Sequence, residues 1–123
     1  MPDLKVTVQV ELDGNPIDGF PIVRRLDLAE AQIFDYQKAA DGDAITFTTL
    51  PASLIPELDV LLARTDRAIT LRFNAQSDAG ILLNPSGFIL IFDGKINSGA
   101  TTNAKVNNNS GGVATIKGIG AGT

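Results

Sequence analysis

Few side chains in this 123-residue chain can do covalent or acid–base chemistry. There is no Cys and no His. That removes disulfides, Cys/His zinc sites, and every nucleophile that relies on imidazole as its base. What remains is chiefly carboxylates, among them Asp13, Asp18, Asp27, Asp41, Asp43, Asp59, Asp66, Asp78 and Asp93. A glycosidase needs two of these facing one another across a groove. These are spread over turns and polar faces, and no Trp is present to form a sugar platform. The expectation is that the chain is not an enzyme, with no catalytic residues. Asp41-Gly42-Asp43 matches a fragment of a calcium loop, but Ala44, Ile45 and Phe47 follow where further oxygen ligands would be needed. It reads as a turn, so no metal site is expected. Gly118-Ile119-Gly120-Ala121-Gly122 has the glycines of a phosphate-binding loop without a helix to follow it. No cofactor is expected.

Charge narrows the partners. The formal net charge is -4, with a sequence pI near 4.6, which disfavours attraction to nucleic-acid phosphates. The basic pairs Arg24-Arg25 and Arg64 with Arg67 fit solvated faces or ion pairs with a neighbouring subunit. The longest clear apolar run, Phe88 to Phe92, is a strand's length and far short of a membrane span. Met1-Pro2-Asp3-Leu4-Lys5 lacks the basic-then-apolar layout of a leader, so synthesis in the cytoplasm is expected. Neither nucleic acid nor membrane is expected as a partner.

The elements that must position these side chains are strands. Leu4, Val6, Val8, Val10 and Leu12 alternate with Lys5, Thr7, Gln9 and Glu11, the period of a half-buried strand. Asp13-Gly14-Asn15-Pro16 is a turn, and Ile17 to Val23, broken by Gly19 and Pro21, reads as an irregular edge strand. Asp27 to Gln32 reads as a loop or single turn before a strand at Ile33 to Lys38. Asp41-Gly42-Asp43 then turns into a strand from Ala44 to Leu50, so that Phe34 and Tyr36 pair with Ile45 and Phe47 as a hairpin. Pro51 to Pro56 is a connector and Leu58 to Ala63 a strand. Thr65-Asp66-Arg67 turns into a strand at Ala68 to Asn74, followed by a polar loop from Gln76 to Gly80. Ile81 to Leu83 is a strand. Asn84-Pro85-Ser86-Gly87 has β-turn chemistry, with Pro second and Gly fourth. Phe88 to Phe92 is apolar throughout and reads as a central strand. Asn97 to Thr102 is a loop, Ala104 to Asn108 a strand, Asn109 to Gly112 a turn, and Val113 to Lys117 a strand. The end, 118–123, is Gly-rich and reads as a tail with too little side chain to hold structure alone. The sum is a single all-β domain over 1–123: an antiparallel β-sandwich or jelly-roll-like small barrel of eight or nine short strands.

Two features point to contact between chains. The turn around Asn107, Asn108, Asn109 and Ser110 carries small polar residues, which fit either long hairpin connections or close packing against a symmetry mate. Ile116 and Ile119 place apolar side chains in the Gly-rich end, which docking on another subunit would order. With the edge of the first strand (Pro2, Asp3, Leu4 and Lys5), these are the candidate interface residues.

The segments Leu71-Arg72-Phe73-Asn74, Ser77-Asp78-Ala79-Gly80-Ile81, Gly87-Phe88-Ile89-Leu90-Ile91, Val106-Asn107-Asn108-Asn109-Ser110-Gly111 and Ala114-Thr115-Ile116-Lys117-Gly118 resemble small structural proteins of tailed-bacteriophage virions. These are sandwich-like capsid decoration (cement) proteins or head and tail accessory proteins. The resemblance implies a virion location and a homo-oligomer, a trimer first among them. It also implies contacts with the major capsid protein or other virion proteins, made by shape and extended termini. A tail or head–tail accessory protein is the alternative within that class. A carbohydrate- or receptor-binding sandwich module is the alternative outside it, and Tyr36 is the one Tyr it could use.

Overall fold

The computed structural model describes residues 3–40, 45–46, 58–72, 80–94, 105–108 and 110–122, with 45–46 as backbone alone. The expected turn at Asp41-Gly42-Asp43, the side chain of Phe47, the Pro51–Pro56 connector and the Asn97–Thr102 loop lie outside the described residues, as do Pro2, Asp78 and Asn109. The regular structure is all β: β1 (Asp3–Val8), β2 (Glu11–Leu12), β3 (Asn15–Pro16), β4 (Ile22–Asp27), β5 (Glu30–Lys38), β6 (Ile45–Thr46), β7 (Leu58–Thr65), β8 (Ile69–Arg72), β9 (Ile81–Leu83), β10 (Phe88–Ile91), β11 (Lys105–Asn107) and β12 (Ala114–Gly122).

Strands β5 to β12 pair antiparallel from the outside in. The pairs are β5 with β12, β6 with β11, β7 with β10, and β8 with β9. Two more pairings, β12 with β7 and β11 with β8, assemble sheets ordered β10-β7-β12-β5 and β6-β11-β8-β9. A long antiparallel ribbon rolled into two facing sheets is a jelly roll. The sandwich form of the expected fold is therefore the observed one, with the two sheets remaining separate rather than closing into a barrel.

Period-two alternation supplies the core between the sheets. Leu61 and Ala63 on β7, Ala114 and Ile116 on β12, and Phe34 on β5 face Ile69 and Leu71 on β8, Leu83 on β9 and Val106 on β11. Each large aliphatic side chain removed from water there contributes about 1.5–3 kcal/mol. The turn at Asn84–Gly87 forms as expected: Gly87 N donates to Asn84 O at 2.8 Å. Ser86 sits at φ 67°, the third position of a type II turn.

Several local readings change. The hairpin of Phe34 and Tyr36 with the Ile45 segment does not form, because β5 pairs β12 while β6 pairs β11 in the other sheet. In this roll β5 and β6 belong to opposite sheets. The loop expected at Asp27–Gln32 shrinks to Leu28-Ala29 between β4 and β5; pairing with β12 extends β5 back to Glu30. Strand β10 lies at the end of its sheet rather than in the centre. Its continuous apolar run arises because Ile89 and Ile91 pack on the core, while Phe88 and Leu90 line a groove on the other face. Finally, the Gly-rich stretch is not a tail. Gly118 to Gly122 are the second half of β12, flanked by β5 and β7. Absence of side chains is what admits the backbone there: a Cβ on Gly118 would overlap Leu62 O and come within 3.0 Å of Phe34 Cζ.

Strands β1 and β4 form a separate ribbon. Its Leu4 and Leu26 pack with Leu28 against Val60, Ala31, Ala121 and Phe92, on the face of the β10-β7-β12-β5 sheet that points away from the main core. Beyond this ribbon the chain continues as an arm, 9–21. At its tip β2 pairs β3 around Asp13-Gly14, both at positive φ (53° and 78°), the signature of a type I′ hairpin turn. The expected strand Leu4–Leu12 is thus β1 and β2 with a break at Gln9-Val10, and the expected four-residue turn is a two-residue one.

Candidate assembly surface

The outer face of the β10-β7-β12-β5 sheet is built by the residues that alternate with the core set. Cross-strand register aligns Asp35, Lys117, Arg64 and Phe88 in one row, and Ile33, Ile119, Leu62 and Leu90 in the next. The ribbon covers only one end of this face. Toward the other end a groove of about 440 Å³ opens between β1 and the sheet, lined by Leu4 to Gln9, Val60, Leu62, Phe88, Leu90 and Ile119. Its floor is apolar. Beside it Phe88 is 64% exposed and Ile33 77% exposed. Large apolar side chains grouped in this way mark contact surfaces more often than isolated ones do. The charged row adds Lys117, whose Nζ stands 3.7 Å from Asp35 Oδ2, and Arg64, while Lys5 projects from β1.

The arm is the second exposed apolar feature. Of its residues only Ile17 and Phe20 are half-buried, and Leu12 is 65% exposed. Ile17 N donates to Val10 O at 3.0 Å, which holds the two sides of the arm together without covering either.

The expected interface residues separate into two groups. Leu4, Lys5 and Ile119 converge on the groove, with Asp3 at its far end paired to Arg25 at 2.8 Å. Of the other described ones, Asn107, Asn108 and Ile116 face inward. Ile116 is fully buried in the core, on the opposite face of β12 from Ile119, because the two are an odd number of residues apart. Asn107 is buried and its Oδ1 accepts from Arg72 Nη1 at 2.8 Å. Asn108 is fully buried. Its Nδ2 donates to Lys38 O (2.7 Å) and Gly112 O (2.8 Å), and its Oδ1 accepts from Ser110 N (3.1 Å) and Ser110 Oγ (2.7 Å). The side chains of Asn108 and Ile116 are thus taken up by the chain's own fold. The polar turn is a buried clasp where the chain passes from β11 to β12. Asn108→Ala is expected to lower unfolding free energy by about 2 kcal/mol, since it removes a buried donor to the carbonyls of Lys38 and Gly112 and the acceptor of Ser110 N; urea denaturation measures it.

Sequence reasoning missed Val6, Val8, Leu62, Phe88, Leu90 and Ile33 as surface. The alternation of Val6 and Val8 was legible, but which side stayed open was not. Several other charges are used locally. Arg24 Nη2 meets Asp93 Oδ2 at 3.3 Å and Arg24 Cζ lies 5.9 Å from the Phe92 ring centroid, while Asp66 Oδ1 accepts from Thr115 N at 2.7 Å. The basic pair Arg24-Arg25 therefore meets partners within the chain. Among the described residues no three Asp or Glu side chains converge as metal ligands. A polar hollow of about 400 Å³ lies beside Arg64, Asp66, Ser86 and Lys117.

Comparison with protein-family models, with curated proteins and with solved structures finds no match to this chain.

Proposed function

We propose that this chain is a structural subunit of a phage virion, of the capsid-decorating or cement type, which stabilises a shell by non-covalent contacts with copies of itself and with the shell protein. The observation that carries the reading is the apolar arm standing off a jelly roll whose outer face is only half covered. Together they offer two separate adhesive surfaces on one rigid scaffold. Many modest contacts repeated around a symmetric site sum to firm attachment. The resemblance of the segments between Leu71 and Gly118 to virion proteins supports the same reading, and a virion location follows from it.

A tail or head–tail accessory role would use the same surfaces, and copy number separates the two. Quantitative mass spectrometry of purified particles from the phage encoding this chain is expected to find it at a copy number approaching that of the major shell protein. A few copies per particle would favour the accessory role, and absence from particles would refute both. The sugar-binding alternative is weaker, since Tyr36 is half-buried against the main core rather than presented as a stacking platform.

A further inference from the structure

We infer that the arm of one copy seats in the groove of another, so that the chain associates with itself head to tail. This rests on the reading of the chain as an assembling subunit, and it names the partner of the groove.

Three observations support it. The first is charge. From Gln9 to Pro21 the arm carries Glu11, Asp13 and Asp18 and no Lys or Arg. Lys5 lines the groove, and the row of the sheet that reaches it through Phe88 carries Arg64 and Lys117, with Asp35 as its one carboxylate. An acidic projection and a basic-rimmed recess on one chain are complementary between copies. The second is apolar fit. Val10 and Leu12 are exposed on the arm, and the groove floor of Val6, Val8, Leu62, Leu90 and Ile119 has room for side chains of that size. The third is direction. β1 forms one wall of the groove and runs on into the arm. Of the arm's residues only Gln9 lines its own groove, so the arm leads out of it. Fully extended, the five residues from Gln9 to Asp13 span about 15 Å, enough to reach a neighbour. A contact between two different patches is heterologous and closes into a ring when the rotation allows, which agrees with the expected symmetric oligomer.

Light scattering on the full chain across a concentration series tests this. The expected result is a mass that is a multiple of 12.9 kDa. Leu12→Asp on the arm, or Phe88→Glu beside the groove, should each weaken association roughly tenfold or more, the loss a well-packed anchor carries. Both positions are largely exposed, and circular dichroism confirms that each variant is folded. Charge reversal adds a specific readout. Glu11→Lys with Asp18→Lys reverses the arm, and Lys5→Glu with Arg64→Glu reverses the groove. Each double variant alone should dissociate, and an equimolar mixture should re-associate through matched arm–groove contacts, as open heterodimers or as alternating rings with an even number of subunits. A wild-type monomer at every concentration, an oligomer indifferent to Leu12→Asp and Phe88→Glu, or no re-association on mixing would overturn the inference. The particle measurement above is independent of all three outcomes, so failure of this contact and failure of the virion reading are distinguishable.

Discussion

Gly118→Val is expected to abolish the folded state at ordinary temperature. Gly118 lies in mid-β12, opposite Phe34 on β5 and Ala63 on β7. A Cβ there would overlap Leu62 O, which is backbone in the middle of a paired strand, and would press on Phe34 Cζ. Neither neighbour can rotate away, as the far end of a flexible side chain would. Overpacking in a tight core costs about 1–3 kcal/mol when side chains can shift. With backbone as the obstacle the cost exceeds that range and takes up much of the roughly 5–15 kcal/mol that holds a domain of ordinary stability. Loss of the cooperative transition in a thermal melt is the expected readout. Gly111→Ala provides the contrast, because nothing lies within 4 Å of its added Cβ. Its penalty comes only from the positive φ of 81°, about 1–2 kcal/mol. A Gly118→Val protein that melts like wild type would mean that β12 does not run through this position.

The second large effect is expected at Ile116. Its side chain is fully buried in the main core, packed with the β8 and β7 residues opposite and beside it. Ile116→Ala removes three carbons from a close-packed site and leaves a cavity, at a cost of about 2–5 kcal/mol. Ile119→Ala, only three residues along the same strand, is expected to cost about 1 kcal/mol, because it trims the floor of an open groove where water can enter. Chemical denaturation of the pair measures the difference directly. Oligomer mass should respond the other way round: Ile119→Ala should weaken self-association, while folded Ile116→Ala should not. Equal destabilisation by the two substitutions would contradict the assignment of opposite faces.

This contrast shows where sequence reasoning stops at the candidate surface. Ile116 and Ile119 are both apolar residues among glycines, and by composition they look alike. Read as the end of a short strand followed by a tail, both become docking side chains. Read as one continuous strand, they fall on opposite faces. The choice depends on whether Gly118 continues the strand, and glycine carries no propensity that says so. Contacts with β5 and β7, remote in sequence, make the difference. Asn107 and Asn108 mislead for a related reason. Small polar residues in a turn can face solvent, a partner or the interior; three of the hydrogen bonds of Asn108 lie within its own turn, and the one that ties it to the body of the fold reaches Lys38 O on β5, 70 residues away.

Local chemistry accounts for the all-β character, the sandwich-type fold, most strand positions and the Asn84–Gly87 turn. Alternation, β-branched residues and turn formers act over a few residues, and they are sufficient for that. Strand partners, sheet edges and the open groove are a different matter. In a jelly roll β5 meets β12 across most of the chain, and β10, apolar on both faces, ends at a sheet edge. No neighbour in sequence encodes those choices. They follow from which of several compatible pairings buries the most apolar surface once all the strands are present, a sum over the whole molecule rather than a property of any segment.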